Sequence, residues 1–329
     1  MNPPNRKSQK SVLFFILRII ISVSILYALF TLVRWHAVIE AFIHAQFGYV
    51  LAAFFLLFVN VIVRIVKWKE MLKSVKEKPT WRETSGSFLM GLSFGSFTPG
   101  EVGEYAGRTL HITDTRRSHI FGLALLDKLQ IFVVSTIAGV ASLALLLISQ
   151  TIYIYISIIA SFVFAYFVVS KLSWLVSLGH TLNLNVFRRS WVAGILDGIV
   201  LLSTRQMFLT LLFTFWYHFI IVLQMYLLIN AFDAINIFQA FVGTSAMLFS
   251  KSFLPISLSD LGIREAASIF FFSVYHISQS ASLNASLLLF VFNILIPSMI
   301  GTLFLTQSHL MTFKNLISHL LRKNGDTLQ

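Results

Sequence analysis

The 329-residue chain contains no cysteine, which excludes disulfide frameworks, thiolate metal sites and thiol nucleophiles. Charge is scarce as well. Only 12% of the residues are Asp, Glu, Lys or Arg, against about 25% in a soluble domain. The acidic sign is the rarer one, with 13 residues against 25 Lys and Arg. Common catalytic signatures are missing: there is no HExxH, no histidine cluster, no Walker A loop and no GxSxG. Gly100-Glu101-Val102-Gly103 is not a dinucleotide loop, because no Rossmann unit surrounds it. A non-enzyme with no cofactor, no metal and no catalytic residue is therefore expected.

What is present is apolar. Hydrophobic residues make up 57% of the chain, and mean hydropathy is +0.82. With 33 Phe and repeated apolar runs of about 20 residues, membrane helices are expected rather than a β-barrel, whose strands alternate apolar and polar. The net charge of +12 reads as basic cytoplasmic loops facing an anionic lipid surface, not as a nucleic-acid site. The polar start, with Arg6, Lys7 and Lys10, precedes an apolar run too long for a signal peptide and without a clear cleavage site, so it reads as an uncleaved first span.

Full spans are expected at about 12–33, 47–66, 120–148, 151–170, 206–229 and 285–305. The stretch 191–202 reads as an interfacial amphipathic helix, with a short extra span left open. Two further apolar segments, 84–98 and 237–254, are short for a bilayer. Each runs into a polar break: Thr98-Pro99-Gly100-Glu101-Val102-Gly103-Glu104-Tyr105-Ala106-Gly107-Arg108, and Leu254-Pro255-Ile256-Ser257-Leu258-Ser259-Asp260-Leu261-Gly262-Ile263-Arg264-Glu265. Basic residues cluster at the N-terminus, 67–82, 108–119, 171–205 and the tail, while the links at 34–46, 149–151, 230–236 and 276–284 are nearly uncharged. By the positive-inside rule the expected fold is an all-α polytopic membrane protein in the cell (plasma) membrane. It has six full spans plus two re-entrant hairpins, eight membrane segments in all, with both termini cytoplasmic. Residues 1–150 and 151–329 then form an inverted-topology repeat within one membrane domain. A rival topology with eight crossings puts a basic loop outside, which the charges disfavour.

Ionisable groups in a bilayer are costly, about 2.5–3.5 kcal/mol each at a helix centre. The charged residues of the two breaks are therefore paired, water-facing or functional. Glu101, Glu104 and Arg108 share one helical face, and Glu104–Arg108 is an i,i+4 acid–base pair. One reading is that such pairs only lock the hairpins. The other is a substrate site for an anion such as phosphate, held by Arg108, Arg264 and unwound backbone. Its candidates are Pro99, Gly100, Glu101, Gly103, Glu104, Arg108, Ser257, Asp260, Gly262, Arg264 and Glu265, with Asp127, Lys128 and Lys251 as secondary candidates. His111 and His119 read as interfacial side chains.

At these two runs, and at Asp127-Lys128, the sequence resembles the lysylphosphatidylglycerol synthase transmembrane family, also called flippase-like domain proteins. The likeness spans nearly the whole chain. Family members often carry a Gly-Gly pair before Gly-x-Arg-Glu, where this chain has Ser259-Asp260. The soluble lysyl-transferase domain of some members is absent from this sequence. The resemblance implies a stand-alone unit that moves a phospholipid or lipid-linked head group across the bilayer. A membrane-embedded transferase or hydrolase, and a non-catalytic partner of a lipid-modifying complex, stay open as alternatives. The expected partner is a membrane lipid or lipid-linked substrate, and self-association into a homo-oligomer is left open.

Overall fold

The computed structural model describes residue 27 and residues 35–96, 98, 101–147, 190–252 and 259–304. The expected spans at 12–33 (residue 27 apart) and 151–170, and the candidates Pro99, Gly100 and Ser257, lie outside the described residues. Among the described residues every regular element is helical. In order they are α1 Trp35–Ile43, α2 Phe47–Leu72, α3 Trp81–Ser96, α4 Val102–Thr109, α5 Arg117–Leu147, α6 Ser190–Val200, α7 Thr204–Asn230, α8 Ile237–Ser252, α9 Ile263–Ser273 and α10, which starts as Gln279–Phe290 and continues to residue 304.

Among the described residues, four helices are long and apolar enough to cross a membrane: Phe47–Leu72, Arg117–Leu146, Thr204–Asn230 and Gln279–Phe304. The shortest of them have 26 residues, about 39 Å at 1.5 Å per residue, which exceeds a ~30 Å hydrocarbon core. The protein is thus an α-helical membrane protein. The four correspond to the expected spans beginning near 47, 120, 206 and 285. Their starts follow from local chemistry. At α7 the Ser203 hydroxyl accepts from the Gln206 N–H at 3.3 Å, and the Gln206 side chain accepts from the Ser203 N–H at 3.0 Å, a reciprocal cap. At α10 the Ser278 hydroxyl accepts from the Ala281 N–H.

Two boundaries differ from the sequence expectation. The 34–46 link contains α1, whose Val38 packs on Ile269, Leu283 and Leu287. Helix α2 runs on to Leu72 rather than stopping near 66, which moves Lys67 out of the basic loop and into the protein, where it is buried. The reason is its partner: Lys67 Nζ lies 2.5 Å from an Asp127 carboxylate oxygen on α5. The described part of the 191–202 stretch, α6, packs along α5, with Gly194 and Gly198 against Ser118 and His119.

The loop after α2 is tied to α3 by Thr80 and Glu83. Thr80 donates to the Glu83 carboxylate from its N–H (3.1 Å) and its hydroxyl (2.9 Å), and Lys76 Nζ reaches it at 2.5 Å. Burial pushes the Glu83 carboxyl up, but these donors outweigh it and hold it below the usual range. A depressed carboxylate adds stability above its unfolded pKa, which is lost as pH falls through the folded value. Glu83→Gln is therefore expected to cost up to about 1 kcal/mol at pH 7. In thermal-melt measurements the difference from wild type should begin to shrink as pH falls below about 4.5 and close only once pH has fallen below the depressed folded value. A difference that persists in acid would mean the staple is not electrostatic.

Segments α3 and α8 each have 16 residues, and each is followed by a break and a shorter helix. In the first break Glu101 adopts a left-handed conformation (φ 56°). In the second, Ser259 (φ 47°), Asp260 (φ 58°) and Gly262 (φ 89°) do so. This region suits glycine; a carboxylate residue there is strained by on the order of 1 kcal/mol and needs a tertiary contact to hold it. Helices α3 and α4 approach so closely that a Cβ at Gly107 would lie 2.7 Å from the Met90 carbonyl oxygen. The hairpin α3–α4 packs against α10, where Gly301 sits on the Leu89 carbonyl and Ser93 donates to Ser298 O. Segment α8 packs on α5, with Gly139 under Phe249, and also contacts α9 and α7. Helices α2 and α7 pack side by side. Within α10, residues Val291–Leu295 form a π turn. Pro297 causes it, since it lacks an N–H and its ring crowds the Asn293 carbonyl.

Candidate functional site

The two breaks meet. The Ser259 hydroxyl of the second donates to the Ser96 carbonyl of the first at 3.1 Å. Beside this contact lies a cavity of about 100 Å³, lined by Arg64, Glu101, Glu104, Lys128, Lys251 and Arg264, with Ser96 and Asn293 among its other walls. That is room for several waters or one compact anion.

Each charged candidate has a defined partner. Lys128, from α5, pairs with Glu101 and with Glu104, the latter at 2.5 Å. Lys251, at the end of α8, pairs with Asp260 at 2.8 Å. This pair and the Lys128–Glu101 pair hold the strained carboxylates of the two breaks. Glu265 is fully buried and accepts from Arg264 at 2.6 Å, from the Gly262 N–H at 2.6 Å and from the Ser286 hydroxyl at 3.2 Å. It ties the start of α9 to α10.

Arg108 does not line the cavity. Its guanidinium is completely buried, 2.5 Å from Glu104 and 2.7 Å from Asp127, and stacks 4.4 Å over the Trp68 ring. Ser87 accepts from the Trp68 indole and donates to the Arg108 carbonyl at 2.6 Å, fixing the same corner. Arg264, by contrast, does face the cavity. Several of the described backbone N–H groups at the breaks also have partners. Gly103 N–H donates to the Thr98 hydroxyl (2.7 Å) and Glu104 N–H to the Glu101 carbonyl (2.9 Å), while Gly262 N–H goes to Glu265. Among the described residues, the cationic side chains that line the cavity are its charged donors. Asp127 lies on the far side of Glu104, bridging Arg108 to Lys67. His111 is half-buried against Phe304 and Gly86.

Arg64 is the site residue that sequence reasoning missed. It lines the cavity 4.0 Å from Glu104, with its guanidinium 4.8 Å from the Phe88 ring and 5.1 Å from Tyr217. A signal existed: Asn60, Arg64 and Lys67 fall at i, i+4 and i+7, one polar stripe on an otherwise apolar helix. The stripe is used along its length. Asn60 donates to Asn293 Oδ1 at 2.7 Å, Asn293 donates to Gln224 Oε1 at 3.0 Å, and Gln224 donates to the Ala53 carbonyl at 3.1 Å. This amide relay joins α2, α7 and α10 next to the π turn.

The family model described as lysylphosphatidylglycerol synthase TM region matches residues 15–301. No curated protein matches the chain.

Proposed function

Because the chain belongs to the lysylphosphatidylglycerol synthase transmembrane-region family, we propose that it is a flippase-like transporter that moves a phospholipid or lipid-linked head group across the bilayer. The observation that carries this reading is the cavity between the two breaks. Among the described residues, Arg64, Lys128, Lys251 and Arg264 line it with Glu101 and Glu104. With the ion-pair partners that extend from these, Asp260, Glu265, Arg108, Asp127 and Lys67, included, the cations still exceed the carboxylates, so an anionic group would be attracted there in a low-dielectric setting. The reading assigns the cavity no covalent chemistry, and its partner is a membrane lipid at an anionic cytoplasmic surface.

The same reading takes residues 1–150 and 151–329 as inverted repeats, with eight membrane segments, cytoplasmic termini and a plasma-membrane location. Matched packing supports it. Hairpin α3–α4 of the first half lies on α10 of the second, and α8 of the second half lies on α5 of the first. Each break carries a left-handed carboxylate residue paired with a lysine. Alternating access would then be relative movement of the two halves about the cavity.

The test is lipid scrambling in liposomes, read by dithionite bleaching of a fluorescent phospholipid. Wild type should exceed protein-free liposomes, and Lys251→Gln should slow the rate on the order of tenfold, the effect of one lost charged hydrogen bond. A wild-type rate no faster than empty liposomes would remove the transport reading. Equal rates for wild type and variant would take the cavity out of the path.

A further inference from the structure

Around the cavity, each described carboxylate can be assigned a cation of its own, although Asp127 and Glu104 each also touch a second. Asp127 goes with Lys67, Glu104 with Arg108, Glu101 with Lys128, Asp260 with Lys251, and Glu265 with Arg264. Among the described residues of this cluster, Arg64 is left over. Its nearest carboxylate oxygen is 4.0 Å away and already belongs to Arg108, and its other neighbours are the Phe88 and Tyr217 rings. Its side chain is only 11% exposed, and it lines the cavity. An uncompensated cation in this position is unfavourable unless an anion joins it.

From this we infer that Arg64 is the anchor for the transported group, and that the cavity selects a head group bearing one net negative charge, a phosphodiester monoanion. The inference rests on the transport reading for its meaning, but its chemistry is that of binding. A guanidinium presents a planar fork of N–H donors that matches two phosphate oxygens. One negative charge completes the pairing of the cluster. A zwitterionic head group brings its own cation among Lys128, Lys251 and Arg264, and an aminoacylated one brings a net positive charge; both are repelled. A phosphate dianion overshoots the single vacancy in charge.

Two measurements test this separately from transport. In detergent, thermal stabilisation by dioctanoylphosphatidylglycerol is compared with that by dioctanoylphosphatidylcholine and by glycerophosphoglycerol, the deacylated diester. Wild type should be stabilised by the phosphatidylglycerol probe and not by the phosphatidylcholine probe, and Arg64→Gln should lose that response. Stabilisation by the lipid alone marks a lipid ligand, whereas equal stabilisation by glycerophosphoglycerol marks a soluble phosphodiester; both support Arg64 if the variant loses the response. The ligand-free melting temperature of Arg64→Gln should equal or exceed that of wild type, because the change removes an unpaired charge. A structural role would instead lower it. In liposomes, fluorescent phosphatidylglycerol should move on the order of tenfold faster than phosphatidylcholine, and Arg64→Gln should abolish the difference. Equal response to both lipids, or an unaltered response in Arg64→Gln, overturns the inference. Selective binding without scrambling would leave Arg64 in place and remove the transport reading; scrambling without selectivity would do the reverse.

Discussion

Arg108→Ala is expected to destabilise the protein by about 3–5 kcal/mol, the usual cost of removing one partner from a buried charge pair. The side chain is completely buried and is held by Glu104, Asp127 and the Trp68 face. Removing it leaves both carboxylates with one cation fewer. Glu104 would keep Lys128 and Asp127 would keep Lys67, but the stacked Trp68 ring would lose its partner and a void would open. Arg108→Lys should not rescue, since an ammonium cannot touch both carboxylates and lie flat on the indole. Denaturation in detergent, or the yield of folded protein, measures this. The contrast with Arg64→Gln, expected to be neutral or stabilising without ligand, is the informative part. If both variants lose stability equally, the distinction between a structural and a ligand-facing arginine is wrong. If Arg108→Ala melts like wild type, the buried network does not hold the hairpin.

Cross-linking α3 to α10 is expected to stop scrambling altogether. Ser93 donates to the Ser298 carbonyl, and Ser298 in turn donates to the Leu92 carbonyl at 3.2 Å. Gly301 lets the two backbones touch one turn further on. On these same two helices, Leu92, Ser96, Asn293 and Ile294 line the cavity, and Ser85 and Phe304 line an apolar crevice with Ile62. The π turn and Pro297 interrupt the regular α hydrogen-bond ladder of α10 beside the Ser93–Ser298 contact. Because the chain has no cysteine, the double change Ser93→Cys and Ser298→Cys introduces the only thiols. Oxidation should bring the scrambling rate down to that of protein-free liposomes, and reductant should restore it. A rate unmoved by a completed cross-link would mean that the hairpin and α10 travel as one body.

Much of the architecture was legible because hydrophobicity is local. The apolar windows at 47–72, 117–146, 204–230 and 279–304 announce themselves by length alone. So do the interruptions after Ser96 and Ser252, since proline and glycine break a helix wherever they stand. The acid–base pairing of Glu104 with Arg108 was readable from i,i+4 spacing and is made. Arg64 and Lys67 were harder. Near the end of an apolar run, a basic side chain reads as reaching for the interface, and only a partner from another helix, Asp127, keeps Lys67 inside. Arg108 misled in the opposite way. Its place beside Glu101 and Glu104 made it look like a ligand for phosphate, but Trp68, forty residues earlier in the chain, turns it inward.

The amino-acid sequence by itself determined that the chain is helical and membrane-embedded, and that two of its apolar segments are interrupted by charged residues. Burial in lipid leaves a backbone few alternatives to the helix, and proline, glycine and charge act within a turn or two of where they occur. Which arginine is locked into the scaffold and which is left facing the cavity was decided only by the tertiary structure. Charge pairing depends on distances of a few ångströms between helices far apart in sequence, and the fold alone sets those distances.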